Sequence, residues 1–228
     1  GEEMPELVRE QELGGKFVDL SSASVHREWV KYGERPAGVP CTISMGVDLA
    51  ISLKDSAAFS AIAVLARVPD GRVFVLSVRR FRLPFHGILR EIEHAAAQWA
   101  PAVVGIEANQ FQAAVVQELL RTTKLPVRGI TVQQDKLLRF QPLLARYEQG
   151  LVHHAPGLPA EFEDELFAFP FGEFKDMCDA LGLAYSCCPS RPGTSVASAG
   201  PRLTNGEGFG RLFAHPSGMP LRAASMFR

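Results

Sequence analysis

Two apolar runs in this 228-residue chain each contain a carboxylate. In "SMGVDLAISL" (Ser44–Leu53) it is Asp48, and in "VVGIEAN" (Val103–Asn109) it is Glu107. A third group, Asp176 and Asp179 in "FKDMCDAL", is spaced i, i+3, which places both on one face of a helix. Carboxylates gathered in one place repel and raise each other's pKa. The usual remedy is a hard cation, and an all-oxygen donor set suits Mg²⁺ or Mn²⁺ better than zinc. Two such ions, roughly 3.5–4 Å apart, activate water and stabilise the leaving oxygen in phosphodiester hydrolysis. A second acidic position, Asp55, follows the first run in the turn-like "LKDS".

These residues need a scaffold. Along Thr42–Leu53, Met45, Val47 and Leu49 alternate with Gly46, Asp48 and Ala50. In a strand, that turns Asp48 away from the large apolar side chains. Phe59–Val68 and Val73–Phe81 read as two more strands, joined by the turn "PDGR". The three make an antiparallel meander. Phe85–Ala100 has helical periodicity, 102–109 reads as a buried strand and Gln110–Thr123 as a helix. Leu125–Gln133 reads as another buried strand, and this alternation predicts parallel pairing. Asp135–Gly150 is helical with a break or kink at Pro142, "LVHHAP" a short strand or turn, and Pro159–Phe169 and Glu173–Ser186 are the last helices. Glu107 then ends a parallel strand, where open sheets gather ligands.

Composition narrows the function classes. The net charge of −1 gives no global nucleic-acid signature, so DNA binding needs a local patch. Cys41, Cys178, Cys187 and Cys188 lack zinc spacing and suit a reducing compartment. No apolar run is long enough for a membrane span, and no membrane partner is expected. No G-x-x-x-x-G-K-[ST] occurs, so no ATPase activity is expected from this chain. "GEGFGR" (Gly206–Arg211) lacks the flanking strand and Lys of a phosphate loop. His153 and His154, adjacent on a strand, point opposite ways and do not share an ion.

"GVDLAISLKDSAAFSAIAVL", "VVGIEANQFQ", "DKLLRFQPLLARYEQG" and "FKDMCDAL", in this order, resemble the C-terminal nuclease domain of phage and prophage terminase large subunits. The resemblance spans about residues 6–186. It implies an α/β, RNase H-like fold of the resolvase superfamily: a mixed sheet of three antiparallel strands followed by parallel ones, flanked by helices. It implies an arm or linker over 1–40 from a preceding ATPase domain, a nuclease domain over 41–186, and a Pro/Gly/Ser-rich tail over 187–228. The implied activity is divalent-metal-dependent cutting of concatemeric double-stranded DNA, with two Mg²⁺ or Mn²⁺ ions as cofactors. Asp48 and Glu107 become metal ligands, and Asp176 and Asp179 close the site, with the main third ligand open between these two. Asp55 matches an accessory acidic position. Lys136 and Arg139 become DNA-phosphate contacts. Implied partners are the ATPase domain, the portal protein and the small terminase subunit, at a procapsid portal in the host cytoplasm. Two rival readings are a Holliday-junction resolvase or transposase-like nuclease of the same fold, and a non-catalytic prophage remnant that docks DNA or portal.

Overall fold

A computed structural model describes residues 24–49, 59–108, 112–130 and 136–189. Asp55, the "GEGFGR" stretch and most of the expected tail lie outside the described residues. Seven strands of the described residues form one mixed sheet: β1 (Lys31–Tyr32), β2 (Thr42–Asp48), β3 (Ser60–Arg67), β4 (Val73–Phe81), β5 (Val103–Glu107), β6 (Val127–Ile130) and β7 (Val152–His154). Their order is β1-β7-β4-β3-β2-β5-β6. The meander β2-β3-β4 is antiparallel, and β5, β6, β7 and β1 join by parallel pairing. Among the described residues, five α-helices flank the sheet: α1 (Phe85–Trp99), α2 (Gln112–Thr122), α3 (Lys136–Glu148), α4 (Ala160–Ala168) and α5 (Asp176–Cys187).

The alternation in β2 divides the molecule into two layers. Ile43, Met45 and Val47 face α1 and α2, packing with Ile92, Val115 and Leu119. The other face of β2 carries Thr42, Ser44, Gly46 and Asp48, and α5 lies across it. Ser44 Oγ donates to the Ala184 carbonyl at 2.8 Å. A Cβ on Gly46 would collide with the Ala180 carbonyl and the Ala184 amide, so this contact requires glycine. Gly105, the register partner of Gly46 on β5, is similarly pressed, with a Cβ there 2.9 Å from Cys187 Sγ. The paired glycines form a seat on which α5 rests directly on backbone. Beyond this seat, Phe140, Leu143 and Tyr147 of α3 and Phe162 and Leu166 of α4 bury the rest of the face with Met177 and Leu181.

Three expectations change. Leu125–Gln133 was expected as a buried strand, but β6 is half-exposed, because it is the sheet edge and has one strand neighbour. Pro142 does not break α3, which runs continuously from Lys136 to Glu148. The stretch 24–32, expected as an arm apart from the core, places Val25 and Val30 inside it and pairs β1 with β7. All four cysteines are free and buried. No described helix is long and apolar enough to cross a membrane.

Candidate metal centre

Register brings the two strand carboxylates together. Val47 pairs with Ile106 across the parallel β2/β5 ladder, so Asp48 and Glu107 stand side by side one position further on. Both are on the α5 side, at the carboxyl ends of their strands. The glycine seat holds α5 close, and its first turns deliver Asp176 and Asp179 over the same end. Asp48, Glu107 and Asp179 are 7%, 5% and 5% exposed, while Asp176 is half-buried.

Two cations from α3 enter this cluster. Lys136 Nζ donates to Asp179 Oδ2 at 2.6 Å and lies 3.8 Å from Asp48 Oδ2. Arg139, one turn along, is itself buried, and its Nη1 donates to Glu107 Oε2 at 3.4 Å. The resemblance had set Arg139 at a DNA phosphate. The structure instead turns its guanidinium inward to a carboxylate.

The balance of charge is incomplete. Burial pushes the Asp48 carboxyl up to about 7; Lys136 opposes this, and Asp179, Glu107 and Asp176 add to it. Burial also raises Asp179, against Lys136 and Arg139. Asp176 is raised by burial, with Arg80 and then Lys136 opposing. Burial pulls Lys136 down, but Asp48, Asp179 and Glu107 together outweigh it and hold the ammonium above its ordinary value.

The donor set fits a hard divalent cation: three buried carboxylates from three elements, with a protein ammonium drawn in among them. As the side chains stand, no three Asp, Glu, His or Cys among the described residues are arranged to hold an ion. Lys136 lies against two of the carboxylates, and Arg139 engages the third.

A further pair supports this centre and was missed in the sequence. Glu165 on α4 is buried, and its Oε1 accepts the Cys178 amide at 2.9 Å near the start of α5. The Met177 amide also donates to this carboxylate. Helix N-termini leave such amides without intrahelical partners, and a carboxylate is favoured there. Arg80 of β4 reaches Glu165 Oε2 at 3.5 Å and lies over the Phe174 ring. Glu165 thus fixes the turn that carries Asp176 and Asp179. The signal was present: Phe162, Glu165, Leu166 and Phe169 share one helical face, so the acid among them is directed into the core.

His153 and His154 do turn opposite ways. His153 stacks on Phe74, whereas His154 sits between Tyr147 and Glu163.

The model of the terminase RNaseH-like domain matches residues 45–187, a span that runs from β2 to the end of α5. No curated protein matches the sequence. Among solved structures, the large terminase nuclease of thermophilic phage G20c with bound zinc is 16% identical with a TM-score of 0.51, over 75% of this chain and 97% of that one. The same phage nuclease with bound magnesium gives 16% and 0.51, over 75% and 96%. The human cytomegalovirus terminase nuclease domain is 15% identical with a TM-score of 0.52, over 77% and 96%.

Proposed function

The chain belongs to the terminase RNaseH-like domain family, and from that premise we propose that it is the DNA-cutting domain of a viral packaging terminase. Its reaction is divalent-metal-dependent hydrolysis of phosphodiester bonds in concatemeric double-stranded DNA. The carrying observation is the convergence of Asp48, Glu107 and Asp179 at one end of the sheet. The phage G20c nuclease with bound magnesium supports the choice of ion.

Asp48, Glu107 and Asp179 would together hold two Mg²⁺ or Mn²⁺ ions. Burial and its contact with Lys136 favour Asp179 over the half-exposed Asp176 as main third ligand. Ions held there supply Lewis acidity to an attacking water and to the leaving oxygen. The residues do the remaining work. Glu165 and the glycine seat hold α5 so that Asp179 stays opposite Asp48. Arg139 orients Glu107. Lys136, half-exposed at the start of α3, leaves its carboxylates and takes up a phosphate oxygen of the DNA. Asp176, facing Arg80, lies at the rim. Contacts of this kind carry little sequence information, so cutting is nearly sequence-independent. The reading places the domain beside its ATPase domain, the portal and the small subunit, at the procapsid in the host cytoplasm.

The test is plasmid cleavage by the purified chain in Mn²⁺, Mg²⁺ or EDTA, with Asp48→Ala alongside. The expected result is metal-dependent cutting that the substitution abolishes. Cutting that survives both EDTA and the substitution would refute the reading. A strong preference for four-way junctions over linear duplex would move the substrate to recombination intermediates.

A further inference from the structure

A cavity of about 460 Å³ opens between α3, the C-terminal end of α5 and the β3–β4 turn. Three arginines line it: Arg67 at the end of β3, and Arg139 and Arg146 two turns apart on α3. No Asp or Glu is among its described lining residues. Tyr185 arranges two of the guanidiniums. Arg67 lies over its ring at 4.6 Å, and Arg146 Nε donates to its hydroxyl at 3.3 Å. The third, Arg139, is more than nine-tenths buried, and its Nη2 has no hydrogen-bond partner among the described residues. Thr42 Oγ1, also on the lining and buried, has none either.

A buried guanidinium N–H without an acceptor is costly, and like charges lining one cavity repel. Both costs fall away if an oxyanion enters. The carboxylate nearest in sequence does not serve. Asp70 of the β3–β4 turn accepts from the Arg72 amide with one oxygen and from Arg72 Nε with the other. Planar guanidiniums match phosphate oxygens in forked pairs. The volume lies in the range of small-ligand pockets, larger than one orthophosphate needs.

We propose that this cavity binds a phosphate group through Arg67, Arg139 and Arg146, with Thr42 as a further donor. The phosphate comes from a DNA backbone or from a small phosphorylated ligand. The site adjoins the carboxylate centre through Arg139, whose Nη1 bonds Glu107 while its Nη2 is left for the phosphate, and it does not depend on that centre cutting DNA.

The test uses the full chain in EDTA at low salt, titrated calorimetrically with inorganic phosphate. The wild type should bind saturably, and Arg67→Gln with Arg146→Gln should weaken binding about tenfold or more. Ser186→Asp, which keeps all three arginines and adds a carboxylate to the lining, should weaken it similarly. Melting without phosphate checks that each variant folds. Absence of saturable binding, or equal affinity in all three proteins, would overturn the proposal. A short duplex distinguishes the sources. If duplex binding falls in parallel and free phosphate competes with it, the ligand is DNA backbone. If only phosphate binding is lost, the ligand is a small phosphorylated molecule.

Discussion

Two buried polar clusters, both touched by α3, are built on different terms. At one end, Tyr147 Oη and His154 Nε2 are 2.9 Å apart, and His154 Nδ1 and Glu163 Oε1 are 2.8 Å apart. Every member has a close partner. At the other end, Asp48, Glu107, Asp176 and Asp179 share Lys136, Arg139 and Arg80, partly through long contacts of 3.4 and 3.8 Å. A satisfied network holds a fold in place. A network with excess charge of one sign is maintained at a cost to stability, and such sites are where function concentrates. The difference teaches that burial of polar groups alone does not mark a site; incomplete pairing does.

The comparison breaks most sharply at Asp48. Asp48→Asn should cut cleavage by a factor on the order of 10²–10³, the scale seen when one preorganised electrostatic group is removed. It should also raise stability, and the sign follows from linkage. The Asp48 carboxyl is raised to about 7 from an ordinary 3.8, so the unfolded chain ionises first. The stability gap between variant and wild type should be absent below about pH 4 and widen up to about pH 7. Denaturant melts across that range measure it. An unchanged melt with intact cleavage would place Asp48 in the satisfied class.

Glu165 comes next. Glu165→Ala removes the acceptor for the Met177 and Cys178 amides. It should cost about 1–2 kcal/mol, as loss of a helix cap does, and lower cleavage about tenfold through misplaced Asp179. Glu165→Gln keeps an oxygen acceptor and should recover most of the activity. Cleavage rates and chemical melts on the three proteins decide it. Lys136→Ala should have a smaller and divided effect. Mn²⁺ affinity by calorimetry should rise, because an ammonium no longer competes for Asp48 and Asp179. Cleavage should fall about tenfold at most, since one phosphate contact is lost.

His154 should leave the activity of folded protein unchanged. His154→Phe strands Tyr147 Oη and Glu163 and should cost about 1–3 kcal/mol. Burial lowers the His154 pKa below its ordinary 6.5. The unfolded chain therefore takes up the proton first, and the stability that His154 contributes should fall as pH drops below 6.5. The stability gap between wild type and variant should narrow accordingly in melts from about pH 7 to 5.

Much of this architecture is legible in the sequence because it is periodic. Met45, Val47 and Leu49 alternating with Gly46 and Asp48 fix the face on which Asp48 stands, and the β-α-β order makes the strand bearing Glu107 parallel. A stronger sign lies in "GVD" and "GIE". The same small-apolar-acid triplet recurs at 46–48 and 105–107, and in register each glycine admits α5 while each acid meets it. What is not legible depends on partners distant in the chain. Nothing near Pro142 shows that its helix stays intact, nor does "VRGI" show that its strand will be an edge. The inward turn of Arg139 depends on Glu107, 32 positions away. The pairing of Glu165 with Arg80 spans 85.

The helix that rests on Gly46 and Gly105 also sets a time at which the centre can exist. Ser44 and Ala184, which join β2 to α5, are 140 positions apart. During synthesis the strand carrying Asp48 leaves the ribosome long before the helix carrying Asp179. Until α5 docks, the chain has two strand acids and no third, so a nascent or truncated product lacks a complete centre. On the proposed reading, DNA cutting would begin only once nearly all of the described chain has been made and folded.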